Sequence, residues 1–346
     1  MDALNSLFSM IHDYLLVALP KEQKCSKNTI RSYRKSLELL LDFVKEKKHK
    51  SLIELSFEDI DRDMIADFLE YLEVERKCSI STRNQRLHCI RSFYKYAAQE
   101  DITVVQHLDE VQKVKKARQE KTLVEHMSEA AIKTIISQPD TTTNIGKRDA
   151  FLMLFLYRTG IRVQELVDIQ LANIQLGNHS KLTVCGKGSK VRSIPLREDT
   201  VRNLKHYLEL FHAGQSMYDS DYLFYTVRNG HRKRMTEDNV RYLLHKYGIS
   251  ARKECLEVPE NVHPHLFRHS LAMSLYRNGV DLSLISQWLG HSSVETTLIY
   301  AYADTEIKRQ AIEKAVSEKS EIKKFLNSDR YMVNDETLLK QLCGLR

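Results

Sequence analysis

Apolar side chains recur at three- and four-residue intervals along most of this chain, a spacing typical of one buried face of an α-helix. Residues 26–48 carry such a stripe behind Ser26 and Asn28, two residue types that favour helix N-termini. Residues 56–77 and 79–100 repeat the pattern. The first part of the chain is therefore predicted to fold as four or five helices.

The helix predicted over residues 79–100 is also distinguished by its charge. No acidic residue occurs between Arg76 and Gln99. Side chains of a single sign suit a surface that faces DNA phosphates, although an ordinary solvated helix face would show the same pattern. The basic residues of this segment are Arg76, Lys77, Arg83, Arg86, Arg91 and Lys95.

A polar segment separates the two parts of the chain. Residues 109–126 are charged and only weakly periodic, which predicts a linker, and a new helix is expected to begin at Ser128. We place the domain boundary near residue 120. This gives a helical domain over residues 1–118, a linker over 119–127, a second domain over 128–325 and a tail over 326–346.

The second part mixes helical patterns with one short hairpin. Residues 148–160 predict a helix that ends at Gly160, and residues 180–196 predict two strands around a GKGS turn. Asn229 and Gly230 predict a turn before a basic cluster, and Thr236 has the character of a helix N-cap. We therefore expect a mainly α protein with a small β-sheet.

Composition supports this fold class and narrows the function. The 346 residues suffice for two domains, and the scarcity of glycine and proline, 11 and 5 residues, favours helices. The six cysteines lack metal-ligand spacing, so we expect reduced thiols and no metal site. The N-terminus does not resemble a signal peptide and no apolar run could cross a bilayer, which predicts a soluble cytoplasmic protein. The net charge of +7 is modest, so any nucleic-acid surface must be local.

Two segments place basic side chains at helix N-termini, where free N–H groups favour anions. Pro264 suits the first turn of a helix, and His265 and Arg268 then share one face. Arg162 follows the glycine that ends the preceding helix, and Glu165 is close enough in sequence to brace it. Each pattern by itself is also found in ordinary surface helices and salt bridges.

Two further segments carry groups that could protonate or attack a phosphate. Lys187 lies at the tip of the predicted hairpin between two glycines, where the backbone can approach a ligand closely. The segment HSSVETTLIYAYAD, residues 291–304, contains His291, Tyr300 and Tyr302, and a helix is expected to begin at Ser292. Core packing would explain either tyrosine equally well, and the segment alone does not identify a nucleophile.

The four motifs together resemble those of the tyrosine recombinase (phage integrase) family. TGIRVQEL, GKGSKVRSIPL, HPHLFRHSLA and LGHSSVETTLIY occur in the family's order and at similar spacings. The resemblance covers the second domain, and the basic helical first domain resembles the family's SAM-like core-binding domain. The fold implied by the resemblance is a core-binding domain followed by a tyrosine recombinase catalytic domain.

The resemblance implies a role for each candidate residue. Tyr300, nine residues after His291, is the implied nucleophile, and Tyr302 would point from another side of the helix. Glu165 would brace Arg162, whereas His269 is expected to point away from the site. The implied catalytic set is Arg162, Lys187, His265, Arg268, His291 and Tyr300.

The family also implies the partners. Four protomers would hold two duplex sites with inverted arms, clamp each duplex between two domains, and exchange strands through a Holliday junction without a cofactor or a metal ion. An accessory protein or a second recombinase could join them, and a C-terminal helix would dock on a neighbouring protomer. The expected DNA contacts are Arg83, Arg86, Arg91 and Lys95 in the first domain and Lys190, Arg192, Arg232 and Arg234 in the second.

The short N-terminal segment leaves no room for an arm-binding domain, so an Xer- or Cre-like type is expected. The nearest alternative is a type IB topoisomerase, which would reseal the same strand. A DNA-binding accessory protein without catalytic activity and a helical interaction protein with fortuitous motifs are further alternatives. The motifs leave the DNA target open, and they fit both mobile-element recombination and chromosome-dimer resolution.

Overall fold

The computed structural model describes residues 6–119, 124–186, 191–216, 219–291, 293, 295–303, 309, 336–342 and 344. Its contacts divide the chain into two compact units, Met1–Lys121 and Thr122–Arg346. Each unit has its own hydrophobic core. In the described residues no helix is both long and apolar enough to span a membrane.

The first unit is helical, as the apolar periodicity predicts. A π-helical segment, Tyr14–Glu22, follows the first α-helix, and two short 3₁₀ turns precede the third. Ser26 and Ser79 cap their helices by accepting hydrogen bonds from main-chain N–H groups. The α-helices are α1 (Ser6–Asp13), α2 (Lys27–Lys48), α3 (Arg62–Val74), α4 (Ile80–Glu100) and α5 (Val105–Lys113).

Helix α4 supplies much of the first core. Its apolar face buries Leu87, Ile90, Phe93 and Tyr94, and it packs against α2, α3 and α5. The basic residues within α4, Arg83, Arg86, Arg91 and Lys95, are not among its buried residues. The amphipathic reading of residues 79–100 is therefore confirmed.

The expected linker over residues 109–126 is wrong at its start, because residues 109–113 belong to α5. Val111 and Val114 are buried in the first core. Arg91 of α4 donates hydrogen bonds to main-chain carbonyl oxygens at the end of α5. These contacts come from a distant part of the sequence, so local periodicity could not reveal the helix.

The second unit is built on helices with two small antiparallel sheets. Its α-helices up to the site are α6 (Glu129–Ile136), α7 (Asn144–Thr159), α8 (Val163–Asp168), α9 (Glu198–Phe211) and α10 (Glu237–Glu254). They are followed by α11 (Pro264–Arg277), α12 (Leu282–Leu289), α13 (Glu295–Ala303) and α14 (Glu336–Leu342). The strands are β1 (Ile174–Gln175), β2 (Lys181–Cys185), β3 (Val191–Pro195), β4 (Tyr225–Arg228) and β5 (His231–Arg234).

The expected hairpin is present, and the expected turn at Asn229 and Gly230 belongs to a second hairpin. Strand β2 pairs with β1 and β3, and the register of the second pair closes with Cys185 opposite Val191. The turn residues 187–190 lie outside the described residues. The β4–β5 hairpin turns through Asn229 and Gly230, which both adopt positive φ.

Helix α7 is the central element of the second core and directs its C-terminus at the site. It packs against α6, α9 and α11, and it buries Phe151, Leu152, Phe155 and Leu156. Gly160 ends it at φ 62°, as the sequence predicts. A Cβ at this position would lie 2.7 Å from Cδ2 of Leu271 on α11. Glycine therefore permits both the left-handed turn and the close approach of α11.

The substitution Gly160→Ala should lower the free energy of unfolding by about 2–4 kcal/mol, since it combines a strained φ with overpacking. The matched control is Gly279→Ala, at φ 81° with no atom within 4 Å of the added Cβ. This control should lower the free energy of unfolding only by the strain of the positive φ, about 1–2 kcal/mol. Urea unfolding of both full-length variants compares them, and equal losses would show that the contact with Leu271 is relieved at no cost.

Candidate active site

Three consecutive main-chain carbonyl groups at the C-terminus of α12 bind three different arginines. The oxygen of Trp288 accepts from Nε of Arg192 at 3.1 Å, and that of Leu289 accepts from Nη2 of Arg268 at 2.6 Å. The oxygen of Gly290 accepts from Nη2 of Arg162 at 2.9 Å. We call residues 288–290 the carbonyl anchor. It brings together guanidinium groups from three separate stretches of the chain.

Arg268 is the most deeply buried of the three, with only 3% of its surface exposed. Its Nη1 donates to the oxygen of Gly160, at the C-terminus of α7, over 2.7 Å. Burial, followed by the positive charge of Arg162, lowers the pKa of Arg268 to about 10, so the side chain stays charged at neutral pH. Two carbonyl bonds thus fix a cation inside the site.

Arg162 is the N-cap residue of α8, and Glu165 braces it as predicted. Its main-chain N–H donates to Oε2 of Glu165 at 2.9 Å, and its Nη1 donates to Oε1 at 3.0 Å. About a third of the Arg162 side chain remains accessible. Its partners therefore enclose this side chain only in part.

Glu165 also holds Arg192. The two Nη atoms of Arg192 donate to the two carboxylate oxygens at 2.8 and 2.7 Å, and Glu165 itself is buried. Burial acts to raise the pKa of Glu165, but the hydrogen bonds from Arg192 and from the N–H of Arg162 outweigh it and lower that pKa. The carboxylate is thus an ionised bridge between two arginines.

Gly290 lets the carbonyl anchor form. It adopts φ 65°, and a Cβ there would lie within 3.0 Å of three atoms of the Arg192 side chain. A larger residue would meet both a strained backbone and this guanidinium. The glycine of the LGH motif is therefore required on two independent physical grounds.

His265 and His291 flank the arginines. Nδ1 of His291 lies 2.8 Å from Oγ1 of the buried Thr297 on α13. Burial and the charges of Arg268 and Arg162 lower the pKa of His291 to about 4. The ring of His265 is exposed, yet loss of hydration and the charge of Arg268 lower its pKa as well. Both imidazoles are accordingly neutral at neutral pH.

Tyr300 is completely buried, and its partner is a residue that the sequence reading set aside. The phenol oxygen of Tyr300 lies 2.9 Å from Nδ1 of His269. The expectation that His269 points away from the site is wrong. His269 follows His265 by four residues on α11, a spacing that places both on one face, and their ring centroids are 6.2 Å apart. That spacing is the signal that could have identified it.

Tyr302 takes the opposite orientation, with 61% of its surface exposed. This confirms the expectation that the two tyrosines point from different sides of α13. Ser292, the expected helix start, lies outside the described residues, as do Lys187 and Lys190.

The arginines predicted to contact DNA in the first unit also have partners inside it. Arg83 forms an ion pair with Glu73, and Arg86 donates to Oγ of Ser36 at 3.0 Å. Lys95 is exposed. A surface pocket on this side of α4 is lined by His88, Arg91, Ser92, Lys95 and Gln112.

In the second unit, the predicted DNA contacts differ in exposure. Arg232 is exposed, packs over the ring of Tyr225 and donates to the carbonyl oxygen of Phe211 at 3.1 Å. Arg234 forms an ion pair with Asp168. Arg192 is largely enclosed and engaged with Glu165 and Trp288. Its contacts favour a positioning role over the expected DNA contact.

The assembled site is an anion-binding arrangement with a phenol beside it. Two neutral imidazoles lie near Arg162 and Arg268, and main-chain carbonyl groups hold both arginines. Such fixed donors stabilise charge that develops on a reacting phosphate. No cluster of side chains suited to a metal ion occurs in the described part of the chain.

Comparison with known proteins identifies the family. Residues 125–306 match the phage integrase family, and residues 6–118 match the phage integrase SAM-like domain. The first match alone spans more than half of the chain. This chain belongs to the phage integrase family.

Curated relatives align along most of their length. A putative integrase/recombinase y4rC of Sinorhizobium fredii is 34% identical over 89% of this chain and 91% of its own. The tyrosine recombinase XerD of Pseudomonas putida is 31% identical over 84% of this chain and 91% of its own. The family's enzymes cleave and rejoin DNA with a tyrosine nucleophile, and this tyrosine recombinase is an enzyme of that class.

Solved structures support the fold. The XerH site-specific recombinase, in a post-cleavage complex with palindromic difH substrate, superimposes with a TM-score of 0.64 at 20% identity. The alignment covers 90% of this chain and 89% of that one. The predicted fold class, a SAM-like domain followed by an integrase catalytic domain, is confirmed.

The substitution Glu165→Gln should destabilise the recombinase at pH 7 by about 3–5 kcal/mol, because it leaves buried arginine charge without its counterion. Folding lowers the pKa of Glu165, so its contribution is complete above the unfolded pKa of about 4.3 and is lost as the pH falls through the folded value. The difference between wild type and variant should therefore shrink below about pH 4.

Unfolding of both proteins across this pH range measures the effect. Glu260→Gln is the control, since Glu260 is 85% exposed in its pair with Arg252 and should change stability by less than about 1 kcal/mol. A Glu165→Gln loss that stays constant down to pH 3 would contradict the assigned ionisation.

Proposed function

We propose that this chain is a site-specific recombinase in which Tyr300 attacks the scissile phosphate and forms a 3′-phosphotyrosyl bond. The observation that carries the proposal is the carbonyl anchor, which fixes Arg162 and Arg268 next to the helix that bears Tyr300. A phosphodiester resists attack because its negative charge repels nucleophiles. Fixed guanidinium groups offset that charge most strongly when it increases in the transition state.

The imidazoles of His265 and His291 would complete the phosphate site. Because their pKa values are lowered, each ring is neutral at physiological pH and offers one N–H donor without adding a charge that must be desolvated. Nδ1 of His291 faces Thr297, which leaves Nε2 for the phosphate. In this proposal, two charged and two neutral donors share the non-bridging oxygens.

Departure of the 5′ oxygen requires a proton, and Lys187 is proposed to supply it. The residue belongs to the loop between β2 and β3, whose closing pair is Cys185 and Val191. Arg192, one residue beyond that pair, bonds to the carbonyl anchor and to Glu165. The base of the hairpin is thereby tied to the phosphate site.

Rejoining would reverse the same chemistry with the 5′ hydroxyl of a second duplex. The phosphotyrosyl bond conserves the energy of the broken phosphodiester, so exchange of strands requires no nucleotide hydrolysis. One solved relative is a lambda integrase tetramer bound to a Holliday junction, with a TM-score of 0.60 and 17% identity. We propose a tetramer on two sites with inverted arms and a Holliday-junction intermediate for this chain as well.

Two basic surfaces are proposed to hold the duplex. In the first unit, Lys95 and the α4 pocket side chains would contact the backbone, and Arg83 and Arg86 lie on the same helix. In the second, Arg232 and Lys190 would do so. The same strand exchange would serve integration, excision or transposition of a mobile element and also chromosome-dimer resolution.

Tyr300→Phe should abolish the covalent protein–DNA adduct on a nicked suicide substrate and leave DNA binding intact, because only the phenol oxygen is removed. Tyr302→Phe, on the exposed face of α13, is the matched control and should retain the adduct. Denaturing electrophoresis and mapping of the linked peptide measure both. A peptide linked through Tyr302 would refute the assignment.

Arg268→Lys should slow strand cleavage about 100- to 1,000-fold, because the single ammonium nitrogen of lysine cannot replace a planar guanidinium whose two Nη atoms bind separate carbonyl groups. Affinity for the DNA site should change far less, since many other contacts bind the duplex. Arg277→Lys, on the exposed end of the same helix, serves as the control. Single-turnover cleavage near the wild-type rate would remove Arg268 from the phosphate site.

A further inference from the structure

We propose that His269 is the catalytic base that accepts the phenolic proton of Tyr300 during strand cleavage. The inference rests on the proposed function, in which Tyr300 is the nucleophile. It adds a third histidine to the site and gives it a different task from the other two. His265 and His291 would bind the phosphate, whereas His269 would act on the attacking oxygen.

The geometry of the pair is that of a base and its nucleophile. Nδ1 of His269 lies 2.9 Å from the phenol oxygen, and the two ring centroids are 5.8 Å apart. Tyr300 is fully buried, which keeps bulk water from the phenol. In the tautomer that carries its proton on Nε2, His269 accepts a hydrogen bond from the O–H of Tyr300.

The other imidazoles of the site are engaged differently. Nδ1 of His291 is directed at Thr297, one turn before Tyr300 on α13. His265 is one turn before His269 on α11, and its ring is exposed toward solvent. Within the described residues, His269 therefore has the nitrogen best placed to receive the proton.

The protonation states fit this role at neutral pH. Burial, opposed by the charge of Arg268, raises the pKa of Tyr300 to about 12, so the phenol keeps its proton until it is transferred. Burial and neighbouring positive groups lower the pKa of His269 to about 4, so its ring is free to accept. Five groups face His269. Two of them, His265 and Arg268, belong to α11 itself, and His263 is the N-cap residue of that helix. The other two are His126, in the segment before α6, and Tyr300 on α13.

A bound phosphate would reduce the difference between the pKa of His269 and the pKa of Tyr300. Its negative charge favours an imidazolium nearby and raises the pKa of His269, because opposite charges stabilise the charged form. Proton transfer then accompanies attack. The bond from the phenol oxygen to phosphorus forms, the bond from phosphorus to the 5′ oxygen breaks, and that oxygen takes a proton from Lys187. The proton on His269 returns to Tyr300 on rejoining.

Two substitutions distinguish a role of His269 as a base from a role as a hydrogen-bond partner only. His269→Asn places an amide oxygen near the position of Nδ1, so it can accept the phenolic hydrogen bond but cannot hold the proton. His269→Ala removes both capacities. If His269 is the base, both variants should slow single-turnover cleavage about 100-fold or more at pH 7. Both rates should rise with pH more steeply than the wild-type rate, as hydroxide replaces the missing base.

A modified substrate distinguishes a residue that acts on the nucleophile from one that acts on the leaving group. A 5′-bridging phosphorothiolate site releases a thiolate, which needs no proton donor. It should restore cleavage by Lys187→Ala but leave His269→Asn slow. Circular dichroism and binding to the unmodified site establish that each variant is folded and binds DNA.

Three results would overturn the proposal. His269→Asn could cleave at the wild-type rate while His269→Ala is slow, which would make His269 a positioning residue only. The pH profile of His269→Asn could parallel that of the wild type. The phosphorothiolate could restore His269→Asn, which would place the residue on the leaving group. Failure of the proposed function would give a different result from these three. An adduct formed by Tyr300→Phe would show that Tyr300 is not the nucleophile.

Discussion

The site depends on the carbonyl groups that a helix leaves unpaired at its C-terminus. The last carbonyl groups of an α-helix have no partner within it, and they carry the negative end of the helix dipole. Helix α12 ends at the carbonyl anchor, where Trp288, Leu289 and Gly290 accept from three arginines. Helix α7 contributes a fourth acceptor at Gly160. The arginines are thus bound by carbonyl groups that have no hydrogen-bond partner within their own helices.

This arrangement explains how three like charges can lie close together. Three guanidinium groups converge, and the carboxylate of Glu165 lies between two of them. Burial, and after it the charges of neighbouring groups, lowers the pKa of Arg268, His269 and His291. In the proposed function, a phosphate bound here would offset the charge of these arginines.

Local signals in the sequence predicted the parts of the structure that depend on neighbours in the chain. The cap at Ser26, the Gly160 helix end and the β2–β3 hairpin all follow from residue types at short spacing. Helix α5 was not predicted, because contacts from Arg91 on another helix stabilise it. The family resemblance supplied the candidate Arg, His and Tyr set, and helix spacing supported the His265–Arg268 pairing.

What the sequence reading missed are contacts between distant segments. The task of Arg192 depends on Glu165 and Trp288, which are respectively 27 and 96 residues away. The bond between His269 and Tyr300 joins residues 31 positions apart. Neither pair has a spacing that a local pattern could register. His269 could nevertheless have been placed on the face of His265 by its four-residue offset.

The orientation of α13 follows from two histidines that bond to it. Thr297 and Tyr300 are three residues apart, so they share one face, and both are fully buried. His291 contacts the first and His269 the second. A residue two positions further is rotated by roughly 200° about the helix axis, which carries Tyr302 to the solvent. Helix rotation therefore places Tyr300 against these histidines and Tyr302 in solvent, although the two tyrosines are only two residues apart.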